Sequence, residues 1–278
     1  MPMRRDVSDG AEPLSPPRPP AIPFGSLWAR IEEVRRRSAN PQAMFWMYAV
    51  NYRIGAAIVL LVRSTPVTAN WLTAASLAVH VATAAAVALL PAPAPPGAAV
   101  LVLLFWQLAV SLDCADGPLA RERGEAGPFG AWLDEVFDFL AHLATATGVV
   151  ILLVRALAPG PLAAAALMAG VGGANLFHLH GLVLKNLHLG DSRTVSPADS
   201  PRYLLQLRRA RHVLDSGFVL CVTALLLLAP QALLAYTLLN TAMASTWMAA
   251  TVGRYWQRHG RPVRHLPKRS DEPGNVSG

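Results

Sequence analysis

The chain has 278 residues, of which 53% are hydrophobic and only 15% are charged, with a formal net charge of +7 at pH 7. Its mean hydropathy is +0.36 and its charges lie mainly between long apolar runs, which excludes a soluble globular protein and indicates a polytopic membrane protein. Because the basic residues lie beside these runs, we assign them to anionic lipid headgroups and exclude nucleic acid as a partner.

The N-terminal segment, residues 1–25, is rich in proline and poor in apolar side chains. Such a composition is typical of a disordered segment, because it cannot bury a core. We find no apolar core of a secretory signal in it and expect membrane insertion to depend on the later apolar segments.

Residues 26–66 are predicted to hold basic and amphipathic interfacial helices. A short basic helix is expected over residues 26–37, and residues 44–62 form an apolar segment that carries Asn51 and Arg53. As a seventh span, that segment would place most N-terminal arginines on the outside. We therefore interpret it as an interfacial helix, from which Arg53 snorkels to headgroups.

Residues 67–256 are predicted to form a membrane domain, and residues 257–278 a basic cytoplasmic tail. The predicted fold is all-α, a polytopic membrane protein with six transmembrane helices and an N-terminal juxtamembrane amphipathic helix. The six spans are predicted at about 67–91, 97–116, 129–154, 161–184, 213–229 and 231–253.

The basic residues predict the orientation of these spans. Of the 24 Lys and Arg residues, the six-span arrangement leaves only Arg155 on the far side. The positive-inside rule then places both termini and the acidic motif described next at the cytoplasmic face. On the same side, residues 185–212 form a basic stretch that either selects a phosphorylated substrate or faces the lipid surface.

Four aspartates lie inside or beside the predicted spans: Asp113, Asp116, Asp134 and Asp138. A carboxylate at membrane depth costs about 2.5 to 3.5 kcal/mol, so the cluster requires compensation. The first two are three residues apart and the last two are four apart, so each pair shares one face of a helix. Carboxylate oxygens are the ligands that Mg²⁺ and Mn²⁺ prefer, and two-ion sites typically serve phosphoryl chemistry.

The motif extends beyond the aspartates. In DCADGPLARERGEAGPFGAWLDEVFD, residues 113–138, the fixed positions also include Gly117, Ala120, Arg121 and Gly130. This stretch resembles the CDP-alcohol phosphotransferase (CDP-alcohol phosphatidyltransferase) family, matching every fixed position and gap of its pattern D-x2-DG-x2-AR-x8-G-x3-D-x3-D. The resemblance extends over residues 44–256, and Thr68, Ala69, Asn70 and Thr73 are similar to the family's TPNxxT stretch, with Ala in place of Pro.

The resemblance implies transfer of a substituted phosphate, such as phosphatidyl, from a CDP-alcohol such as CDP-diacylglycerol to the hydroxyl of an acceptor alcohol, with release of CMP. The pathway implied is phospholipid biosynthesis. Asp138 is then the general base, and the protein is expected to form a homodimer. The four aspartates would hold two divalent cations, Mg²⁺ or Mn²⁺, and the CDP-binding residues would be Asn70, Gly117, Ala120, Arg121 and Gly130.

Two other functions use similar residues. Membrane prenyltransferases also bind a Mg²⁺-diphosphate through two acidic motifs, but those motifs lie far apart, whereas 18 residues separate Asp116 from Asp134 here. A divalent-cation transporter would need polar groups along several spans, and here they gather at one face. Cys114 and Cys221 have no metal-knuckle spacing, and no disulfide is expected.

Overall fold

A computed structural model describes residues 27–38, 45–187 and 215–259, with side chains except at 177–187, 251 and 254–259. This part of the chain is all-helical. The two termini and the basic residues from 188 to 214 lie outside it. The helices are α1 (Leu27–Ser38), α2 (Tyr52–Val62), α3 (Ala69–Leu89), α4 (Pro96–Arg123), α5 (Pro128–Leu157), α6 (Pro161–Leu187), α7 (Ser216–Leu226) and α8 (Pro230–His259), and a π-helical turn, Met47–Asn51, leads into α2.

Three of the described helices, α3, α4 and α5, are long and apolar enough to cross a membrane by their length and composition. The turn with α2, the part Pro161–Leu176 of α6, and α7 are apolar but shorter. The chain is therefore an all-helical membrane protein. The arrangement of six spans remains a prediction.

Helix α4 is longer than the sequence predicts. It starts with a proline in its first turn, where the missing N–H has no helical partner to lose, and ends at Gly124, whose φ of 70° lies in the left-handed region. It continues through Pro118, a residue whose ring normally disfavours the interior of a helix. Residues Asp113 to Arg121 therefore project from one continuous helix.

Helix α3 is the scaffold of the bundle, because it packs extensively against both α4 and α5. One face of α3 carries buried polar side chains, and the Ser76 hydroxyl donates to the Ala109 carbonyl of α4 at 2.9 Å. On the side of α5, a Cβ at Gly148 would overlap the Ala84 carbonyl oxygen and lie 3.0 Å from its carbon. A glycine thus lets the two backbones approach closely.

We expect Gly148→Ala to destabilise the protein by about 1–3 kcal/mol, because the added methyl group forces α3 and α5 apart. Thermal unfolding in detergent measures this. Gly172→Ala on α6 is the matched control, since its Cβ would have nothing within 4 Å. Equal unfolding temperatures for the two variants would contradict the close approach.

Buried polar side chains hold the π-helical turn and the start of α2 against α4 and α7. Buried Asn51 donates through Nδ2 to Gln107 Oε1 at 3.1 Å and to Ser111 Oγ at 3.2 Å, both on α4. Buried Asp215 accepts from the backbone N–H groups of Trp46, at 2.8 Å, and Met47, at 3.0 Å, through Oδ2. Its Oδ1 accepts from Gly217 N–H at 3.1 Å, so one carboxylate caps the starts of both the π-turn and α7.

Helix α1 docks on α2 through Glu32. The Glu32 carboxylate accepts from Arg35 Nη2 at 2.6 Å and from Arg53 Nε at 2.6 Å. The Arg53 guanidinium lies 5.7 Å from the ring centre of Trp28, and Arg35 lies 4.1 Å from that of Tyr48. Helix α1 therefore supplies Arg53 with a carboxylate and an aromatic face, and its snorkelling to headgroups stays a prediction.

Hydrogen bonds from Arg53 and Arg35 lower the pKa of Glu32 below its ordinary value of 4.5. The lowered pKa means that this contact stabilises docking above pH 4.5 and is lost as the pH falls through the folded-state pKa. We expect Glu32→Gln to weaken docking by about 1 kcal/mol at pH 7, raising amide exchange in α1 about fivefold. Glu33→Gln is the control, since Glu33 forms its ion pairs within the described residues with Arg36 and Arg37 of the same helix; an equal effect of both variants would contradict docking through Glu32.

Candidate active site

The aspartates of α4 and α5 converge. One carboxylate oxygen from each of Asp113, Asp116 and Asp134 lies within 4.8 Å of the others. Asp116 is buried, with 7% of its surface exposed, and the other two are half-buried. The aspartate-bearing faces of α4 and α5 therefore meet.

This group fits a divalent cation. Mg²⁺ binds oxygen at about 2.0–2.1 Å, so oxygens on opposite sides of one ion are about 4.2 Å apart. Small side-chain rotations bring oxygens within 4.8 Å into that range. Neighbouring carboxylates repel in a low-dielectric region, and a divalent cation offsets that repulsion. We conclude that Asp113, Asp116 and Asp134 can hold a metal ion.

Asp138 stands at the open side of this group. Its side chain is exposed and forms a side-chain hydrogen bond with Asp113. Two carboxyl groups in such contact must share a proton or a cation. One turn further along α5, His142 Nδ1 donates to the Asp138 backbone carbonyl at 2.8 Å. The Asp138 carboxyl group thus lies against Asp113 at the exposed edge of the group.

Asp116 is held by Thr73 of α3, a residue for which we predicted no individual role from the sequence. The Thr73 hydroxyl donates to Asp116 Oδ2 at 2.6 Å, and the Gly117 backbone N–H donates to Oδ1. The available signal was the spacing of Asn70 and Thr73, which places both on one face of α3. Thr73 therefore orients a candidate metal ligand from a neighbouring helix.

The predicted CDP-binding residues lie at the ends of three helices. Gly117, Ala120 and Arg121 follow Asp116 on α4, Asn70 is in the first turn of α3, and Gly130 is in the first turn of α5. A Cβ at Gly130 would lie 3.8 Å from Asn70 Oδ1, so these two residues face each other. Ala120 is half-buried, and its carbonyl accepts from the Glu125 N–H at 2.8 Å.

The Arg121 guanidinium lies across Gly117. A Cβ at Gly117 would approach Arg121 Nη1 to 3.2 Å, so any side chain there would crowd the guanidinium. Arg121 Nη2 also donates to the Ser38 carbonyl of α1 at 3.3 Å. Since Arg121 is exposed, its remaining donors can reach a phosphate beside the aspartates.

Comparison with known protein families decides between the functions left open by the sequence. The chain matches the family model of the CDP-alcohol phosphatidyltransferases over residues 66–252. It belongs to this family. The match confirms the resemblance over these residues, which include the four aspartates of the motif and every predicted CDP-binding residue. No individual curated protein is similar enough to be compared with the chain.

Membership gives the class of reaction of this CDP-alcohol phosphatidyltransferase. It is a membrane transferase of phospholipid biosynthesis that moves a phosphatidyl group from a CDP-alcohol, and the aspartate group is compatible with the divalent cation that the family typically requires. The prenyltransferase and transporter alternatives receive no such support. The matched region begins at Pro66, so α1 and α2 lie outside it.

Removal of the Thr73 hydroxyl should weaken metal binding. We expect Thr73→Val to lower the affinity for Mn²⁺ by about tenfold, because Asp116 loses a charge-assisted hydrogen bond and its fixed orientation. Thr73→Ser retains the hydroxyl and should remain within about threefold of the wild type. Mn²⁺ titration followed by electron paramagnetic resonance measures both; equal affinities in Thr73→Val and the wild type would contradict this role.

Proposed function

We propose that the protein transfers a phosphatidyl group from CDP-diacylglycerol to the hydroxyl of an acceptor alcohol, with release of CMP. The observation that supports this most directly is the convergence of Asp113, Asp116 and Asp134 within 4.8 Å, with exposed Asp138 beside them. A site between apolar helices suits a donor whose acyl chains remain in the bilayer.

The four aspartates are proposed to hold two Mg²⁺ or Mn²⁺ ions. Such ions, when bound, neutralise charge on a diphosphate and on the departing nucleotide. Because Asp138 is exposed beside the other aspartates, it is proposed both to bind an ion and to face the acceptor hydroxyl. Buried Asp116 is held in place by the Thr73 hydroxyl and the Gly117 N–H.

Asp138 is proposed to act as the general base. Its carboxylate oxygen accepts the proton of the acceptor hydroxyl, whose oxygen forms a bond to the phosphorus as the bond from phosphorus to the CMP oxygen breaks. Arg121 donates to the phosphates, and the absence of side chains at Gly117 and Gly130 allows the nucleotide to approach the helix backbones. Asn70 and Ala120 complete the proposed CDP site.

The setting of the enzyme follows from its charge distribution. We propose that the active site and both termini face the cytoplasm, since nearly all the Lys and Arg residues are on that side of the predicted arrangement. The protein is further proposed to act as a homodimer, as its family implies. A single-protomer mass in both detergent and nanodiscs would refute the homodimer.

The reaction is tested with purified protein, CDP-diacylglycerol and a panel of acceptor alcohols, with and without Mg²⁺ or Mn²⁺. We expect metal-dependent release of CMP together with one new phospholipid. Soluble CDP-alcohols with a lipid acceptor form the second arm, because the aspartate geometry serves either donor. Absence of metal-dependent CMP in every combination would refute the proposed function.

We expect Asp138→Asn to lower turnover by at least about 100-fold, because an amide cannot accept the hydroxyl proton. Donor binding, measured by protection against thermal unfolding with a CDP-alcohol, should be largely retained. Glu135→Gln is the control, since Glu135 lies on the same helix outside the matched aspartate positions. Full turnover in Asp138→Asn would remove the general-base assignment.

A further inference from the structure

The last turn of α4 contains a second arginine, Arg123, two residues after Arg121, outside the fixed positions of the family pattern. Its guanidinium is half-buried and donates to carbonyl groups of the segment that joins α2 to α3. The acceptors are Val62 O at 2.8 Å, Arg63 O at 3.2 Å, Thr65 O at 2.8 Å and Val67 O at 2.6 Å.

These carbonyls occupy a particular place in the chain. Val62 ends α2, where helix carbonyls lack an intrahelical partner, and Val67 directly precedes Thr68, the N-cap of α3. The planar guanidinium can bond several such groups at once because its donors point in fixed directions. Beside it, Arg63 and Glu122 form an ion pair at 3.5 Å, which joins the same two parts of the chain.

The segment that Arg123 holds leads directly into the active-site turns of α3. Asn70, which faces Gly130, is two residues after the N-cap, and Thr73, which bonds Asp116, lies one turn further along. Arg123 is thus on the same helix as Asp116 and fixes the start of the helix that supports Asp116. The contacts of Asp116 and Arg123, which lie two turns apart on α4, together set the axial position of α3 against α4.

We propose that Arg123 is a positioning residue of the active site, which places Asn70 and Thr73 against the metal-binding and nucleotide-binding residues. This inference rests on the proposed function only for the use of the site, since the positioning itself is a property of the fold. The residue touches no reacting group. Its effect is transmitted through the α2–α3 segment and the first turns of α3.

The chain provides a matched control at the opposite end of α3. Arg155 of α5 donates through Nη1 to the carbonyls of Ala88 and Leu90, where α3 ends. Arg155→Met therefore removes the same type of contact from the same helix, far along the helix from Asn70 and Thr73. A general loss of α3 stability would appear in both variants, whereas loss of positioning would appear in only one.

The first measurement is amide hydrogen exchange of the purified protein, which requires no activity. We expect Arg123→Met to raise exchange in residues 63–73 about tenfold, because several hydrogen bonds to a charged group are lost. Arg155→Met should raise it near residues 86–92 instead. Arg123→Lys, whose single ammonium group cannot reach all four carbonyls, should give an intermediate change, and it replaces Arg123→Met if that variant does not fold.

The second measurement is Mn²⁺ affinity, followed by electron paramagnetic resonance. We expect Arg123→Met to bind Mn²⁺ about fivefold more weakly, as Asp116 loses its fixed partner, while Arg155→Met stays within twofold of the wild type. In the active enzyme, KM for the donor should rise more than kcat falls. Unchanged exchange in residues 63–73, or unchanged Mn²⁺ affinity, would overturn the positioning role.

The two proposals fail in different ways. If the wild type binds Mn²⁺ and Arg123→Met weakens that binding, but no CMP is released, the positioning role stands and the proposed function fails. If CMP is released normally and Arg123→Met leaves Mn²⁺ affinity and donor KM unchanged, the positioning role fails alone.

Discussion

Repulsion among carboxylates within an apolar bundle is the constraint on which this structure depends. Asp113, Asp116 and Asp134 come within 4.8 Å of one another, and Asp138 adds a fourth charge beside them. Such a cluster holds together only if the surrounding helices are fixed strongly enough to resist it and if a cation balances it. The close packing of α3 against both α4 and α5 provides the first condition, and the geometry of the oxygens permits the second.

The local part of the candidate site follows from the sequence. The spacing of the aspartates along α4 and α5 predicts which residues share a face, and the family pattern proposes roles for the residues around them. These features repeat with the helix period and need no knowledge of tertiary structure. The Thr73–Asp116 contact and the bonds of Arg123 join residues more than 40 positions apart, and neither has a periodic signal.

The fold was predicted in class and less well in detail. Apolar runs indicated an all-helical membrane protein, but run length does not show where a helix ends, and α4 continues through Pro118 as far as Arg123. Arg53 was placed at the lipid headgroups because its helix alone offered no partner. The structure supplies Glu32 from α1, a residue 21 positions earlier. Composition predicts whether a side chain lies in a polar or an apolar environment, but not which residue it contacts there.

Arg123 and Arg155, which bond the two ends of α3, differ from the arginines that hold α1 in the kind of acceptor that they contact. Arg123 and Arg155 bond backbone carbonyls, which neither titrate nor carry a net charge, whereas α1 is held by the Glu32 carboxylate. Acid and high salt both weaken a carboxylate pair but leave a carbonyl acceptor intact. Acid or high salt would thus loosen the docking of α1 while the contacts at both ends of α3 persist.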